Sequence, residues 1–547
     1  MIKLIQPSTL EHLPAYQGFL SRSKDLYNEL QRKYQFLDYR DYQYEHAALY
    51  SVRKKNICAA RMGIGKTIIA GLTIATIYQE FSRPGQIQVV APNNLSAKSR
   101  WLVDLKKIDY LADKVEFINS EKDALNSTKP IWVYTIDFIK RKSKNITRQN
   151  RNTLARYFYK KHLYPSFLIM DECHNIKAGT QRAEEWAFYL KKVKRTLFLS
   201  GTLSDGRLDL LYFIWNLCYK KKLNFNLDEF KQEFGSKVQV TTNYAGGHEP
   251  IIDVKTRYLP HLSTDKIPEY VAIANKLAHR VTYDDPKVLS CITLPREYRH
   301  IEYVIPTKEH TQYYRDVLDI SRIRIENLAA REKASVNTLG LLNPLIEASS
   351  ITPSTIRNKK LEYLLDVCAG SDKVVVFTSY INTSRYLTEE ISKRFKTVRL
   401  YAVDKEAKPT CLSQEKREDI ISEFLFNADV KVGVFSINLA SESIDLQSAS
   451  TVIFYDLPWQ SIKVQQAVYR AVRPGSAVDC VDVLFLANSG MIDSHILELY
   501  KTKVLASKLL LDFNPSNTTA ADLSILNPAE LARLTLKTES DDLLWNE

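Results

Sequence analysis

Ala60-Arg61-Met62-Gly63-Ile64-Gly65-Lys66-Thr67 decides how this 547-residue chain is read. The eight residues fit the template of a phosphate loop, with Ala where the first glycine usually stands. Glycines let successive backbone N–H groups converge on phosphate oxygens, and the helix that follows adds the positive end of its dipole. Met62, Gly63, Ile64 and Gly65 would supply the cradle. Lys66 would reach the β- and γ-phosphates, and Thr67 would hold Mg²⁺ through its hydroxyl. The flanks agree, with an apolar run NICAA (56–60) before the loop and TIIAGLTIATIYQ (67–79) in helical pattern after it. The chain has only 16 glycines, so two of them just ahead of Lys-Thr carry weight. A nucleoside triphosphate such as ATP, with Mg²⁺, is the expected cofactor.

Such a site needs an acidic residue at the end of a neighbouring apolar strand. FLIM (167–170) followed by Asp171-Glu172-Cys173-His174 supplies it, 105 residues after Lys66. Asp171 is expected to bind the metal, and Glu172 to orient and polarise the attacking water. Cys173 reads as packing. His174 reads as a hydrogen-bonding coupler between the site and its surroundings.

Outward from these motifs, the apolar runs IQVVA (87–91), IWVY (131–134), FLIM (167–170) and TLFL (196–199) alternate with amphipathic stretches. Short runs of this kind predict βα units around a parallel sheet buried on both faces. A second series begins near Lys373: VVVF (374–377), VGVF (432–435), VIFY (452–455) and VDVLFL (481–486). The fold class is therefore α/β, with two parallel-sheet lobes joined by a stretch rich in helix formers. The predicted divisions are an N-terminal helical cap (1–37), lobe 1 (38–215), a helical protrusion and linker (216–355), lobe 2 (356–510) and a tail (511–547).

Composition bounds the rest. Hydrophobic residues make up 45% and charged residues 25%, which excludes a disordered chain. The seven cysteines lie at least 43 residues apart, so no CxxC pair exists to hold zinc. No stretch approaches the ~18 apolar residues of a membrane helix, and the N-terminus has no secretory pattern. These features predict an intracellular, cytoplasmic protein without a membrane partner. Lys and Arg exceed Asp and Glu by 76 − 63 = 13, which favours a polyanion as partner. Residues 138–170 contain no acidic residue but carry Lys140, Arg141, Lys142, Lys144, Arg148, Arg151, Arg156, Lys160 and Lys161. Runs like this are usually solvated surface, and the alternative is added contact with a nucleic acid. Smaller clusters stand at Arg53-Lys54-Lys55, Lys191-Lys192 and Lys220-Lys221-Lys222.

The ordered series of motifs resembles helicase superfamily two and, within it, the Swi/Snf-type double-stranded DNA translocases. Tyr39-Arg40-Asp41-Tyr42-Gln43 looks like the adenine-reading Gln segment, and VVAP (89–92) with Trp101 matches the first nucleic-acid motif. DECHNIK (171–177) is close to the family's DEAH segment, and LSGT (199–202) to motif three. In the second half, VVVFTS (374–379) resembles motif four. GVFSINLASESIDL (433–446) with TVIFYD (451–456) resembles motif five, and QAVYRAVRPG (466–475) motif six. Thr202 and Val374 are 172 residues apart, the extended spacing of a family with helical protrusions between its lobes. The chain departs from the pattern at Ser441 and Ser443, where glycines are usual, and at Asp445, where Asn is usual.

The resemblance implies two RecA-like lobes that hydrolyse ATP between them and move on double-stranded DNA. It implies that Lys66, Glu172, Gln466, Arg470 and Arg473 act in catalysis, the two arginines stabilising charge on the γ-phosphoryl group. Gln43 would contact the base. His174, Gly201 and Thr202 would relay the state of the site, and Lys98, Thr135, Ser379, Ser436 and Asn438 would lie near the nucleic-acid track. Protein partners are expected for targeting, in a bacterial or viral setting. A strand-separating DNA or RNA helicase and an ATP-gated binding subunit are the alternatives.

Overall fold

The structure is a computed structural model that describes residues 14–501 except 35–39, 62, 81–84, 95, 144–152, 177–179, 202–207, 220–225, 245–250, 264–265, 284, 330–341, 402–413, 439–443, 459–460 and 499. Two compact units meet in sequence between Ile292 and Thr293.

Unit 1 is built on seven strands: β1 (Lys55–Ala60), β2 (Ile87–Ala91), β3 (Val115–Phe117), β4 (Ile131–Thr135), β5 (Phe167–Met170), β6 (Arg195–Ser200) and, from far along the chain, β9 (His279–Val281). Their order is β3-β4-β2-β5-β6-β1-β9, and every pairing is parallel. The apolar runs fold as strands because helices cover both faces. β2, β4 and β5 are buried along their whole length, as expected of a parallel sheet. Since all seven strands point one way, the loops after them share one rim. Three helices crowd the phosphate-loop side. α1 (Pro14–Lys33) packs on α2 (Asp41–Val52) and on α3 (Lys66–Glu80), with Ser23 Oγ 2.9 Å from Thr76 Oγ1. Two more, α4 (Leu154–Lys160) and α5 (Gln181–Tyr189), precede β5 and β6, and Thr180 caps the second by accepting from Ala183 N. Trp132, Trp186, Trp215 and Tyr189 anchor the core, each buried ring contributing ~2–3 kcal/mol.

Unit 2 has six strands: β10 (Arg296–Val304), β11 (Val374–Thr378), β12 (Thr397–Leu400), β13 (Val432–Ser436), β14 (Thr451–Phe454) and β15 (Cys480–Asn488). They run in the order β10-β15-β14-β11-β13-β12, again all parallel. Phe454 stacks between Phe377 (5.5 Å) and Phe485 (5.0 Å). Gly433 in β13 is required by packing, because a Cβ there would run into the rings of Phe424 and Phe435. α6 (Lys359–Gly370) is capped by Asn358, and α7 (Ser461–Ala471) carries the motif-six residues.

The stretch 216–355, expected to be helical, is so only in part. Helices Ile267–Leu277 and Lys308–Ala329 lie in it, but so do four strands. β7 (Gly235–Tyr244) and β8 (Ile251–Leu262) form an antiparallel hairpin of 10 and 12 residues that packs on helices Leu208–Tyr219 and Leu227–Phe234. β9 closes the edge of the first sheet and β10 the edge of the second. β9 is three residues long and β10 is largely exposed, so neither produces the apolar run by which strands are recognised. Among the described residues no helix is long and apolar enough to cross a membrane.

Candidate nucleotide site and nucleic-acid residues

The loop between β1 and α3 turns on Gly63 (φ 82°) and Gly65 (φ 91°), left-handed positions that suit glycine. A Cβ on Gly65 would also collide with Gln43 Nε2. α2 clamps the loop from outside. Tyr42 Oη donates to Ile64 O (2.7 Å), Gln43 Nε2 donates to the same oxygen (3.1 Å), and Arg40 Nη1 donates to Gly63 O (3.2 Å). On the other side Arg61 N donates to Val281 O of β9 (3.1 Å). Lys66 Nζ donates to Ala60 O (3.1 Å) and stands 3.8 Å from Glu172 Oε1. Met62 lies outside the described residues.

β5 ends beside this loop. Asp171 is buried, and its Oδ2 accepts from Trp101 Nε1 at 2.8 Å. Burial first, and then the neighbouring Glu172, push the Asp171 carboxyl above the usual range, while Lys66 pulls it back. A group in this state gains from a cation. Glu172 is one of two described non-glycine residues with positive φ (φ 45°, ψ 52°). That conformation costs ~1–2 kcal/mol and turns its carboxylate to the same side as Asp171 and Lys66. His174 Nδ1 lies 2.9 Å from Ser200 Oγ and 3.3 Å from Glu172 Oε2, and Ser200 Oγ donates to Glu172 Oε2 at 3.5 Å. Ser200 ends β6, so motif three touches the DECH segment through this hydroxyl. Gly201 follows it, and Thr202 lies outside the described residues.

The cradle fits a phosphate chain with a divalent cation. It offers a left-handed glycine loop, a lysine, the Thr67 hydroxyl at the start of α3 and a buried carboxylate with a raised pKa.

In unit 2, Gln466 and Arg470 sit on α7, both largely buried. The Arg470 carbonyl accepts from Leu446 N (2.9 Å), which ties the end of α7 to the motif-five segment. Arg473 pairs with Asp445, so the carboxylate that replaces the usual amide meets the motif-six guanidinium directly. Ser441 and Ser443 lie outside the described residues.

The candidate nucleic-acid residues gather at strand ends within each unit. Thr135 ends β4 opposite Ala91 of β2, and Lys98 and Trp101 follow in a π-helical turn at Ser96–Trp101. Lys98 is exposed with Nζ 4.9 Å from the Phe117 ring centre, whereas Thr135 is buried. In unit 2, Thr378 is the register partner of Ser436, which places Ser379, Ser436 and Asn438 on one rim. Asn438 is exposed and accepts from Lys463 Nζ, and Ser436 is buried. Thr378 Oγ1 and Ser379 N both donate to the buried Asp456 carboxylate, and Tyr401 Oη donates to Ser379 O (2.9 Å).

Sequence reading missed the support roles of Arg40, Tyr42, Ser200, Asp445 and Asp456. The sequence pattern marks Trp101 but carries no sign of its bond to Asp171. Each acts through a contact with a residue remote in sequence, which no local pattern encodes.

Two family models match, one on each unit. "Type III restriction enzyme, res subunit" covers residues 23–205, and "Helicase conserved C-terminal domain" covers residues 358–475. The chain is 23% identical over 474 residues to YqhH, an uncharacterized ATP-dependent helicase of Bacillus subtilis, with 82% of this chain and 75% of that protein covered. It is 22% identical over 463 residues to the mouse DNA annealing helicase and endonuclease ZRANB3, covering 83% of this chain but 39% of that longer protein. Among solved structures it is similar to the SWI2/SNF2 ATPase core of Sulfolobus solfataricus in complex with dsDNA. That likeness has a TM-score of 0.38 and 20% identity, covering 89% of this chain and 96% of the other. A loop built for a triphosphate, the DECH strand end and the ordered motifs of both units, with the two family models and the sequence relatives, support an ATP-hydrolysing, helicase-like protein similar to the Swi/Snf type of helicase superfamily two.

Proposed function

We propose that the protein is an ATP-driven translocase on double-stranded DNA that remodels protein–DNA complexes or branched DNA. The observation that carries the reading is the meeting of Lys66, Asp171 and Glu172 beside a left-handed glycine loop, with Lys66 Nζ 3.8 Å from Glu172 Oε1. Thr67 and Asp171 would hold Mg²⁺, which supplies neutralising charge to the phosphate oxygens. Lys66 would bind the β- and γ-phosphates. Glu172, held by Ser200 and His174, would orient the attacking water and accept its proton. Gln43 would lie against the base and the loop together. From unit 2, Arg470 and Arg473 would stabilise charge on the transferring group, with Gln466 contacting nucleotide or water. Gly201 and Thr202 would relay this state to the nucleic acid.

Duplex DNA is favoured by the Swi/Snf kinship and by the excess of 13 positive charges. Lys98, Thr135, Ser379, Ser436 and Asn438 would form or support the phosphate track. A contact set without base readout suits a motor that ignores sequence. Protein partners for targeting are part of the same proposal.

The test is ATP turnover measured with linear duplex DNA, single-stranded DNA and RNA side by side, together with displacement of a third strand from a triplex. Duplex DNA is expected to stimulate most, and Glu172→Gln is expected to bind ATP but to lose turnover. Full turnover in Glu172→Gln refutes the catalytic assignment. One observation favours a second reading, strand separation. The β7–β8 hairpin is about 34 Å long at ~3.4 Å per residue, enough to enter a fork. Release of a strand from a tailed duplex, lost on shortening the hairpin, would select that reading.

A further inference from the structure

Three basic clusters that lie far apart in sequence come together on unit 1, away from the nucleotide loop. β5, β6 and β1 are neighbours, with Phe167 opposite Arg195 and Thr196 opposite Lys55. The segments leading into these strands therefore share one rim. That rim carries Lys160 and Lys161 before β5, Lys191, Lys192 and Lys194 before β6, and Lys54 before β1. All six are exposed. The nucleotide loop, Asp171, Glu172 and Ser200 stand at the other ends of the same strands, about 20 Å away for a six-residue strand.

Residues 46–79, 138–170 and 186–204 contain no Asp or Glu. The strands are ~4.8 Å apart, so six ammonium groups occupy a strip on the order of 10–15 Å wide. Positive charge gathered at this density favours a polyanion as partner. Aromatic rings steady several of the cations. Tyr159 and Phe188 lie 4.7 Å apart, with Lys192 Nζ 5.9 Å from the Tyr159 centroid and Lys191 Nζ 5.6 Å from that of Phe188. Arg156 stands 4.4 Å over Phe188 and is also tied to the buried Glu185. The cations are thus partly arranged before any partner arrives, which lowers the ordering cost of binding.

We propose that this rim is a second nucleic-acid-binding surface, which takes the phosphate backbone of a DNA segment other than the one on which the ATP site acts. Exposed lysines act as point charges without fixed geometry, so they suit a repeating phosphate backbone better than a particular acidic protein motif. Only the word "second" rests on the proposed motor reading; the binding claim stands on charge and placement. A motor with such a rim holds two arms of a branched substrate at once.

The experiment compares the full chain with a Lys160→Gln, Lys161→Gln, Lys191→Gln, Lys192→Gln variant, without nucleotide, on a four-way junction and on a linear duplex across a salt series. Thermal unfolding midpoints are expected to agree within a few degrees. The variant is expected to bind the junction at least tenfold more weakly, with its log–log salt slope shallower by about 3 to 4, near 0.9 per lost phosphate contact. Its maximal turnover on saturating linear duplex is expected to stay within twofold of the parent. An unchanged slope and affinity on the junction overturn the proposal. So does retained junction binding alongside lost binding of poly-glutamate, which would assign the rim to an acidic protein. If the glutamine set lowers the midpoint, Lys160→Gln/Lys161→Gln and Lys191→Gln/Lys192→Gln are read separately. A slope unchanged in both pairs again overturns it. Failure of the motor reading would look different: the parent's ATP turnover would not respond to DNA, whatever the salt slopes.

Discussion

Trp101 donates from its indole to the buried Asp171 carboxylate, and Asp445 meets Arg473, so two side chains outside the hydrolytic set hold members of that set in place. A hydrogen bond to a charged carboxylate is worth roughly 1.5–3 kcal/mol. Trp101→Phe is therefore expected to raise the Mg²⁺ concentration for half-maximal turnover on the order of tenfold, with near-native DNA affinity. A Mg²⁺ titration of the variant's ATPase checks this, and an unmoved midpoint refutes it. Asp445 is half-exposed, so its pairing with Arg473 is worth ~1 kcal/mol or less. If Arg473 acts on the γ-phosphoryl group, Asp445→Asn is expected to raise DNA-stimulated turnover by up to about fivefold. Lower turnover would make Asp445 an orienting partner instead. Lys66, Asp171 and Glu172 were legible in the sequence because their chemistry demands particular neighbours at fixed offsets. Ser200 and Asp445 were not, since their importance lies in partners 28 residues away in both cases, at Glu172 and Arg473.

Among elements, the junction of α2 with β9 holds a titratable feature outside the site. His46 is buried and His279 partly so, with ring centres 4.7 Å apart, and the Tyr50 hydroxyl lies 3.1 Å from His279 Nδ1. Burial lowers both histidines, and for His279 the neighbouring His46 and Arg53 lower it further; Glu45 and Asp285 oppose the shift at His46. Both are more acidic in the folded chain than in the unfolded one, so the unfolded state binds more protons as pH drops. Stability is then fully present above about pH 6.5 and falls below it, by about 1.4 kcal/mol per pH unit for each histidine in its titration window. Denaturant unfolding between pH 5 and 8 is expected to show such a slope, to which the lowered His310 and His495 of unit 2 also add, and His279→Asn is expected to make it shallower. Equal slopes in the two proteins would refute the assignment. The strands that carry motifs were legible because burial on both faces writes an unbroken apolar run. β7, β8, β9 and β10 were not: a two-stranded hairpin outside the main sheets, a three-residue strand and an exposed edge leave no such run.

For the whole molecule, two separate cores predict two separable unfolding events. In unit 2, Lys360 and Asp493 form a fully buried pair at 2.7 Å, with Asn488 N donating to the same carboxylate oxygen at 2.8 Å and the Tyr455 ring 4.7 Å from the ammonium. Removing one partner leaves an uncompensated charge, at a cost of roughly 3–5 kcal/mol. Lys360→Met is expected to lower one calorimetric transition by ten degrees or more and to leave the other where it was. Lys360→Met with Asp493→Leu is expected to recover part of the loss. A single transition that shifts as one would mean that the cores are not independent. The two-lobed plan was legible from the repeated alternation of apolar runs, whereas the division near residue 292 was not, because the connecting stretch gives its ends to both sheets.

That gift has a mechanical meaning. β9 is stitched alongside β1, with Arg61 N held by the Val281 carbonyl, and β10 lies parallel to β15 over nine residue pairs. Tension along residues 282–295 therefore loads both anchorages lengthwise, so that several ladder bonds must yield together rather than peel one by one. The shorter anchorage is the one fastened to the nucleotide loop, so load that passes the Pro286–Leu289 turn, which Lys287 pins to Glu45, is felt at Arg61.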